Sequence, residues 1–179
     1  MTTPKTSFSL RAACAGDAKC LSVLALQVWL HTYAWSGISE VIADYVLAEL
    51  TPVAFRHLLA DADQHVIVAE EKENLIGFAV INRSSTYDNN GDDKGVHAIE
   101  LATLYVQAHF IGQGVGRTLI EAAQHWARQH HDSRLWLKVN AQNHRAKAFY
   151  AHLGYRKTGS VDFMLGGQAH ANDVMLACG

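Results

Sequence analysis

The sequence has no run of about 18 apolar residues, so nothing in it reads as a membrane-spanning helix. It has no excess of basic charge either: 15 lysines and arginines stand against 17 aspartates and glutamates. A protein that holds a nucleic-acid backbone normally carries a basic patch, so this balance excludes nucleic acid as the main partner. Cysteine is scarce. Cys14, Cys20 and Cys178 are odd in number and widely scattered, which excludes a disulfide frame and reads as reduced, partly buried thiols of a cytoplasmic protein. Residues 1–9 lack the basic and apolar blocks of a signal peptide, which fits the same compartment. Histidine is plentiful, but His130 and His131 are adjacent and no pair has the i, i+4 spacing of a helical zinc site with a carboxylate between. No metal is expected.

What is present is apolar residue, about half of a 179-residue chain, enough for one domain over residues 1–179 with a real core. Ser7 to Ala13 reads as a first strand, followed by a turn around Gly16. Asp17 then suits the N-cap of a helix carrying Leu21, Leu24, Ala25, Val28 and Trp29, ending near Ser36-Gly37. Ser39 caps a second helix over residues 40–50, and Thr51-Pro52 opens a third with Phe55, Leu58 and Leu59. From His65 the period becomes two. Residues 65–70 and 75–81 form a hairpin across the turn Glu71-Lys72-Glu73-Asn74, and residues 82–95 form a long polar loop.

A strand then runs from Glu100 to Val106 and meets Ile111-Gly112-Gln113-Gly114-Val115-Gly116-Arg117. A helix with Leu119, Ile120, Ala123, Trp126 and Ala127 on one face follows to about His131. Strand, glycine-rich turn and helix in that order can hold a phosphate on backbone N–H groups. The spacing is Gly-x-Gly-x-Gly, not the Gly-x-Gly-x-x-Gly of a dinucleotide fold, and no Gly-Lys-Ser/Thr of a nucleotide-triphosphate loop is present. Arg134 to Asn140 is a further strand, Asn143 to Leu153 a short helix ended by Gly154, and strands near 155–165 and 171–178 close the chain. The pattern predicts a mixed α/β sheet.

Two motifs in this reading resemble the GCN5-related N-acetyltransferase (GNAT) superfamily over almost the full chain. One is Glu100 to Val106 with Gly112-Gln113-Gly114-Val115-Gly116-Arg117; the other is Asn143-His144-Arg145-Ala146-Lys147-Ala148-Phe149-Tyr150 with Leu153-Gly154-Tyr155. The resemblance implies an α+β fold with a single mixed, mostly antiparallel sheet of about seven strands, splayed between the central strands and flanked by helices. It implies acetyl-CoA as co-substrate. Leu104, Tyr105 and Val106 would bond the pantetheine arm, and Ile111, Gly112, Gln113, Gly114, Val115, Gly116, Arg117 and Thr118 would hold the pyrophosphate. Asn143, Ala146 and Tyr150 would complete the donor site. The family's opening Gln or Arg falls on Ile111, so that side chain gives no polar contact, and Arg117 is a candidate for a compensating charge.

Acetyl transfer to an amine needs a base, a polarised carbonyl, close positioning and a proton for the departing thiolate. Glu100 shares a strand face with Ala102, Leu104 and Val106, and a carboxylate in so apolar a setting would have a raised pKa suited to a general base, directly or through water. The alternative is a strand-edge carboxylate paired with a cation. By resemblance Tyr150 protonates the thiolate, its phenol having a pKa near ~10; the alternative is a core aromatic beside Phe149. Asn143 is equally a plausible N-cap. By the same resemblance the acceptor pocket is lined by the first helices and the loop between the last strands. Trp29, Tyr33, Trp35 and Glu40 would give a cationic amine an aromatic and acidic wall, with Asp88 to Asp93 adding carboxylates; core packing and a solvated loop are the alternatives. The tail Phe163-Met164-Leu165-Gly166 with Asp173-Val174-Met175 is similar to bacterial spermidine/spermine acetyltransferases and points to a polyamine, with a peptide α-amine next. A non-catalytic acetyl-CoA sensor is the reading from another class. Sheet-edge homodimers are common among similar proteins.

Overall fold

The computed structural model describes residues 7–34, 36–85, 87, 96–131 and 133–178. Along them run β1 (Ser9–Ala12), α1 (Ala18–Tyr33), α2 (Glu40–Glu49), α3 (Pro52–Ala60), β2 (Gln64–Glu71), β3 (Asn74–Asn82) and β4 (Ala98–Val106). These are followed by α4 (Val115–His131), β5 (Arg134–Asn140), α5 (His144–His152), β6 (Tyr155–Leu165) and β7 (Gln168–Ala177). The seven strands form one sheet in the order β1-β2-β3-β4-β5-β7-β6, mostly antiparallel, with β4 and β5 running parallel. The order of elements is the one the sequence pattern gives. Among the described residues no helix is long and apolar enough to cross a membrane. The chain divides into two compact units, residues 1–80 with 103–122, and residues 81–102 with 123–179.

In the first unit the buried face of α1 (Leu21, Leu24 and Ala25) packs with Phe55 of α3 and with Val66, Val68, Phe78 and Val80 of β2 and β3. Ser39 accepts a hydrogen bond from Ile42 N, so the predicted cap of α2 forms; α3 opens at Pro52 as expected, and Thr51 ahead of it adds a cap by accepting from Ala54 N. Asp17 differs from expectation. Its carboxylate does not cap α1; it accepts from Cys14 N at 2.8 Å and from Arg11 Nη1 and Nη2 at 2.8 and 2.9 Å. It therefore staples β1 to the 3-10 turn that precedes α1. The three cysteines are exposed, not partly buried as their apolar character suggested. The β2–β3 turn places Lys72 and Glu73 at φ of +48° and +67°, where glycine or asparagine is usual. Asn74 supports it by donating from Nδ2 to Lys72 O at 3.0 Å.

The fork of hydrogen bonds from Arg11 holds the Asp17 carboxyl down at about 2, against an ordinary 3.8. A carboxylate depressed in the fold stabilises it above its unfolded value, and that contribution disappears as pH falls through the folded one. Stability should therefore drop as pH goes from about 4 towards 2. Asp17→Asn should remove about 1–3 kcal/mol at neutral pH and flatten that acid slope, as thermal melts at stepped pH would read.

In the second unit β4 meets β5 through Ala98, Ile99 and Glu100 opposite Arg134, Leu135 and Trp136. β5 pairs with β7 over Trp136 to Asn140, and β7 pairs with β6 along its length. β6 and β7 are joined by a tight turn with Gly166 and Gly167 at φ of +55° and +78°, so the last strands carry no long loop. Leu135, Leu137 and Leu176 are fully buried on these strands.

Candidate active site

The glycine loop belongs to the first unit; a single 3-10 turn at Ala108–Phe110 joins it to β4, and it runs directly into α4 at Val115. Gly112 and Gly114 lie at φ of +86° and +90° with nothing within 4 Å of the place a Cβ would take, so conformation and not crowding demands glycine there. Gly116 lies inside the helix. Ile111 N and Gln113 N are used within the turn, bonding Ala108 O and Phe110 O at 3.3 Å each. Anion binding therefore falls to the amides of the first turn of α4, which have no partner within the helix. No acidic residue sits in that turn to oppose an anion. Thr118 closes it, with its N and Oγ1 both bonding Gly114 O. Ile111 is 39% exposed, and Arg117 is turned along the helix towards Glu121 at 3.8 Å.

Leu104, Tyr105 and Val106 end β4 in the same unit and are half-buried. Gln107 N bonds Ile76 O at 2.9 Å, and the Tyr105 ring meets Phe78 edge-on at 5.5 Å. Gly77 sits beneath this strand. A Cβ there would stand 2.8 Å from Tyr105 O and 3.3 Å from both Val115 and Leu119. The glycine thus lets the backbone of β4 and the first turn of α4 come down onto β3.

In the second unit Glu100 is 8% exposed, but it is not alone: Lys138 Nζ lies 2.9 Å from its Oε1. The paired arrangement that the strand pattern left open is the one present. Tyr150 is 9% exposed on α5, packed between Phe149 and Tyr155 at ring distances of 5.4 and 5.8 Å. Asn143 is the N-cap of α5, its Oδ1 accepting from Ala146 N at 3.0 Å, so that amide is already committed. Asn140 Oδ1 accepts from Gln142 N at 2.8 Å and shapes the turn into the helix. Burial pushes the Tyr155 phenol up to about 12, against the bond from Gln124.

Asp173 of β7 entered the sequence reading only through the tail resemblance, yet it anchors the same helix. It takes Lys147 of α5 at 2.7 Å and Lys157 of β6 at 2.6 Å, and Lys147 also donates to Ala141 O at 3.1 Å. Those two ammonium groups hold its carboxyl below the usual carboxylate range. Its signal in the sequence was a carboxylate directly before the apolar run at residues 174–177. Trp136 was missed as well. It is 4% exposed, its indole N–H has no acceptor among the described residues, and such an unpaired buried donor costs about 1–3 kcal/mol.

The proposed acceptor wall lies in the first unit and is only partly a wall. Trp29 is 4% exposed and packs on Tyr33 and Tyr45 at 4.8 and 4.9 Å, joining α1 to α2. Burial raises both phenols above their ordinary value. Glu40 is exposed at the first turn of α2. Trp35 and residues 88–95 lie outside the described residues.

Residues 29–155 match the family model described as acetyltransferase (GNAT) family. An uncharacterized N-acetyltransferase of Mycobacterium tuberculosis is 32% identical over 160 residues, covering 89% of this chain and 96% of that protein. The aminoglycoside N(6')-acetyltransferase type 1 of Stenotrophomonas maltophilia is 30% identical over 154 residues, or 86% of this chain and 89% of that protein. Among solved structures, the PaiA N-acetyltransferase of Thermoplasma acidophilum in complex with coenzyme A superposes with a TM-score of 0.76 at 20% identity. That match covers 96% of this chain and 99% of the other.

Proposed function

This chain belongs to the acetyltransferase (GNAT) family, and we propose that it passes the acetyl group of acetyl-CoA directly to a primary amine, with no acyl-enzyme. Acetyl-CoA-dependent N-acetylation is the family's activity. The observation that carries it is the loop at the head of α4, where two glycines at positive φ bring the backbone to unpaired helix amides free of acidic neighbours. That loop takes the pyrophosphate, and the backbone of Leu104 to Val106 takes the pantetheine arm and polarises the thioester carbonyl.

The amine nitrogen attacks the carbonyl carbon while its surplus proton passes to Glu100, directly or through water. The carbon–sulfur bond then breaks, and the Tyr150 hydroxyl gives its proton to the thiolate. Asn143 fixes the start of α5, and Asp173 with Lys147 fixes its flank, so the phenol is held on an anchored element. The polyamine reading rested on the tail and on four wall residues. Since Trp29 is taken up by packing, the acceptor proposed here is the wider class of primary amines.

The test is thiol release from acetyl-CoA at mildly alkaline pH with spermidine, simple amines, amino acids and a peptide α-amine. Release that requires an amine and yields its N-acetyl product is expected. Tight acetyl-CoA binding with no release for any amine would overturn the reading and leave a sensor module.

A further inference from the structure

Glu100 and its surroundings carry more than a base. Lys138 Nζ lies 2.9 Å from the Glu100 carboxylate and also 5.1 Å from the centroid of the Trp136 ring. Trp136 stands directly opposite Glu100 in the β4–β5 register, and Tyr87 packs against its ring at 5.7 Å. The Trp136 indole N–H is buried and finds no acceptor among the described residues. One patch of the second unit thus brings together an anion, a cation and a buried indole with a spare donor.

We infer that this cluster is the acceptor subsite, and that it takes a primary amine bearing a carboxylate, of the α-amino-acid kind, in preference to a bare polycation. The inference rests on the assignment of Glu100 above and deepens it. An acceptor ammonium bound for Glu100 finds its place held by Lys138. A bare polycation arriving there is repelled by that ammonium, and displacing it leaves a positive charge without a partner. An amine with its own carboxylate turns the displacement into an exchange. Glu100 takes the ammonium, Lys138 takes one carboxylate oxygen, and the other oxygen can receive the Trp136 N–H. The side-chain exposures fit that exchange: Glu100 is held at 10%, whereas Lys138, at 41%, has room to change partners.

The experiment compares kcat/KM for phenylalanine, phenylalaninamide, phenethylamine and spermidine in the wild type and in Lys138→Met, Lys138→Arg and Trp136→Phe. Comparing the selectivity ratio of each variant with that of the wild type cancels the differences in amine basicity. The wild type should prefer the amino acid, and Lys138→Met should cut that preference at least about tenfold. Lys138→Arg, which keeps the charge, should retain it, and Trp136→Phe should lower it by a smaller factor. Preference for spermidine or phenethylamine, or a ratio unmoved in Lys138→Met, would overturn the inference and leave the transferase reading standing. Acetyl-CoA binding with no release for any of the four, nor for a peptide α-amine, would overturn both.

Discussion

Tyr150→Phe should slow coenzyme A release about a hundredfold or more while acetyl-CoA affinity stays within a few fold. The ring is 9% exposed and held between Phe149 and Tyr155, so phenylalanine keeps its packing and removes only the hydroxyl. The thiolate then leaves without a positioned donor, and the loss falls on kcat rather than on KM. Single-turnover release alongside an equilibrium binding measurement separates the two. A change of only a few fold in kcat would return Tyr150 to the role of a core aromatic.

Gly77→Ala is expected to damage both fold and cofactor binding, by a different route. The added methyl would sit 2.8 Å from Tyr105 O, a backbone atom that cannot swing aside, and 3.3 Å from Val115 and Leu119. Relieving that contact means lifting β4 or the first turn of α4, the two segments assigned to acetyl-CoA. Overpacking of this kind costs about 1–3 kcal/mol, or roughly 2–4 °C in Tm per kcal/mol for a chain of this size. The acetyl-CoA Kd should rise by about tenfold or more, as expected when backbone donors move out of reach. Gly112→Ala and Gly114→Ala make a useful contrast, because they meet no crowding and are penalised only through their positive φ. An unchanged Kd in Gly77→Ala would mean that those segments do not hold the cofactor.

The contrast among these glycines also shows what the sequence could reveal. Gly112 and Gly114 announced themselves by spacing, since a loop between strand and helix needs local backbone freedom. Gly77, inside a strand pattern, gave no sign that β4 and α4 close over it, because that crowding comes from residues distant in sequence. The same division holds elsewhere. Ser39 was legible as a cap because its partner lies three residues on, and Pro52 as a helix start because its preference is local, whereas Asp17 turned to Arg11 across a turn and left its expected place. The Glu100 face was legible by alternation, but not the Lys138 that a neighbouring strand delivers to it. Trp29 looked free to line a pocket until α2 brought Tyr45 against it.

Direct transfer is the central claim, and the three cysteines, all exposed, are the nucleophiles that a covalent route would use. The measurement that decides it is the initial-rate pattern, with acetyl-CoA varied at several fixed concentrations of an amine that is turned over. Double-reciprocal lines that intersect are predicted, since both substrates must be bound before the acetyl group moves. Parallel lines, with acetyl retained on the protein when the amine is withheld, would contradict the account.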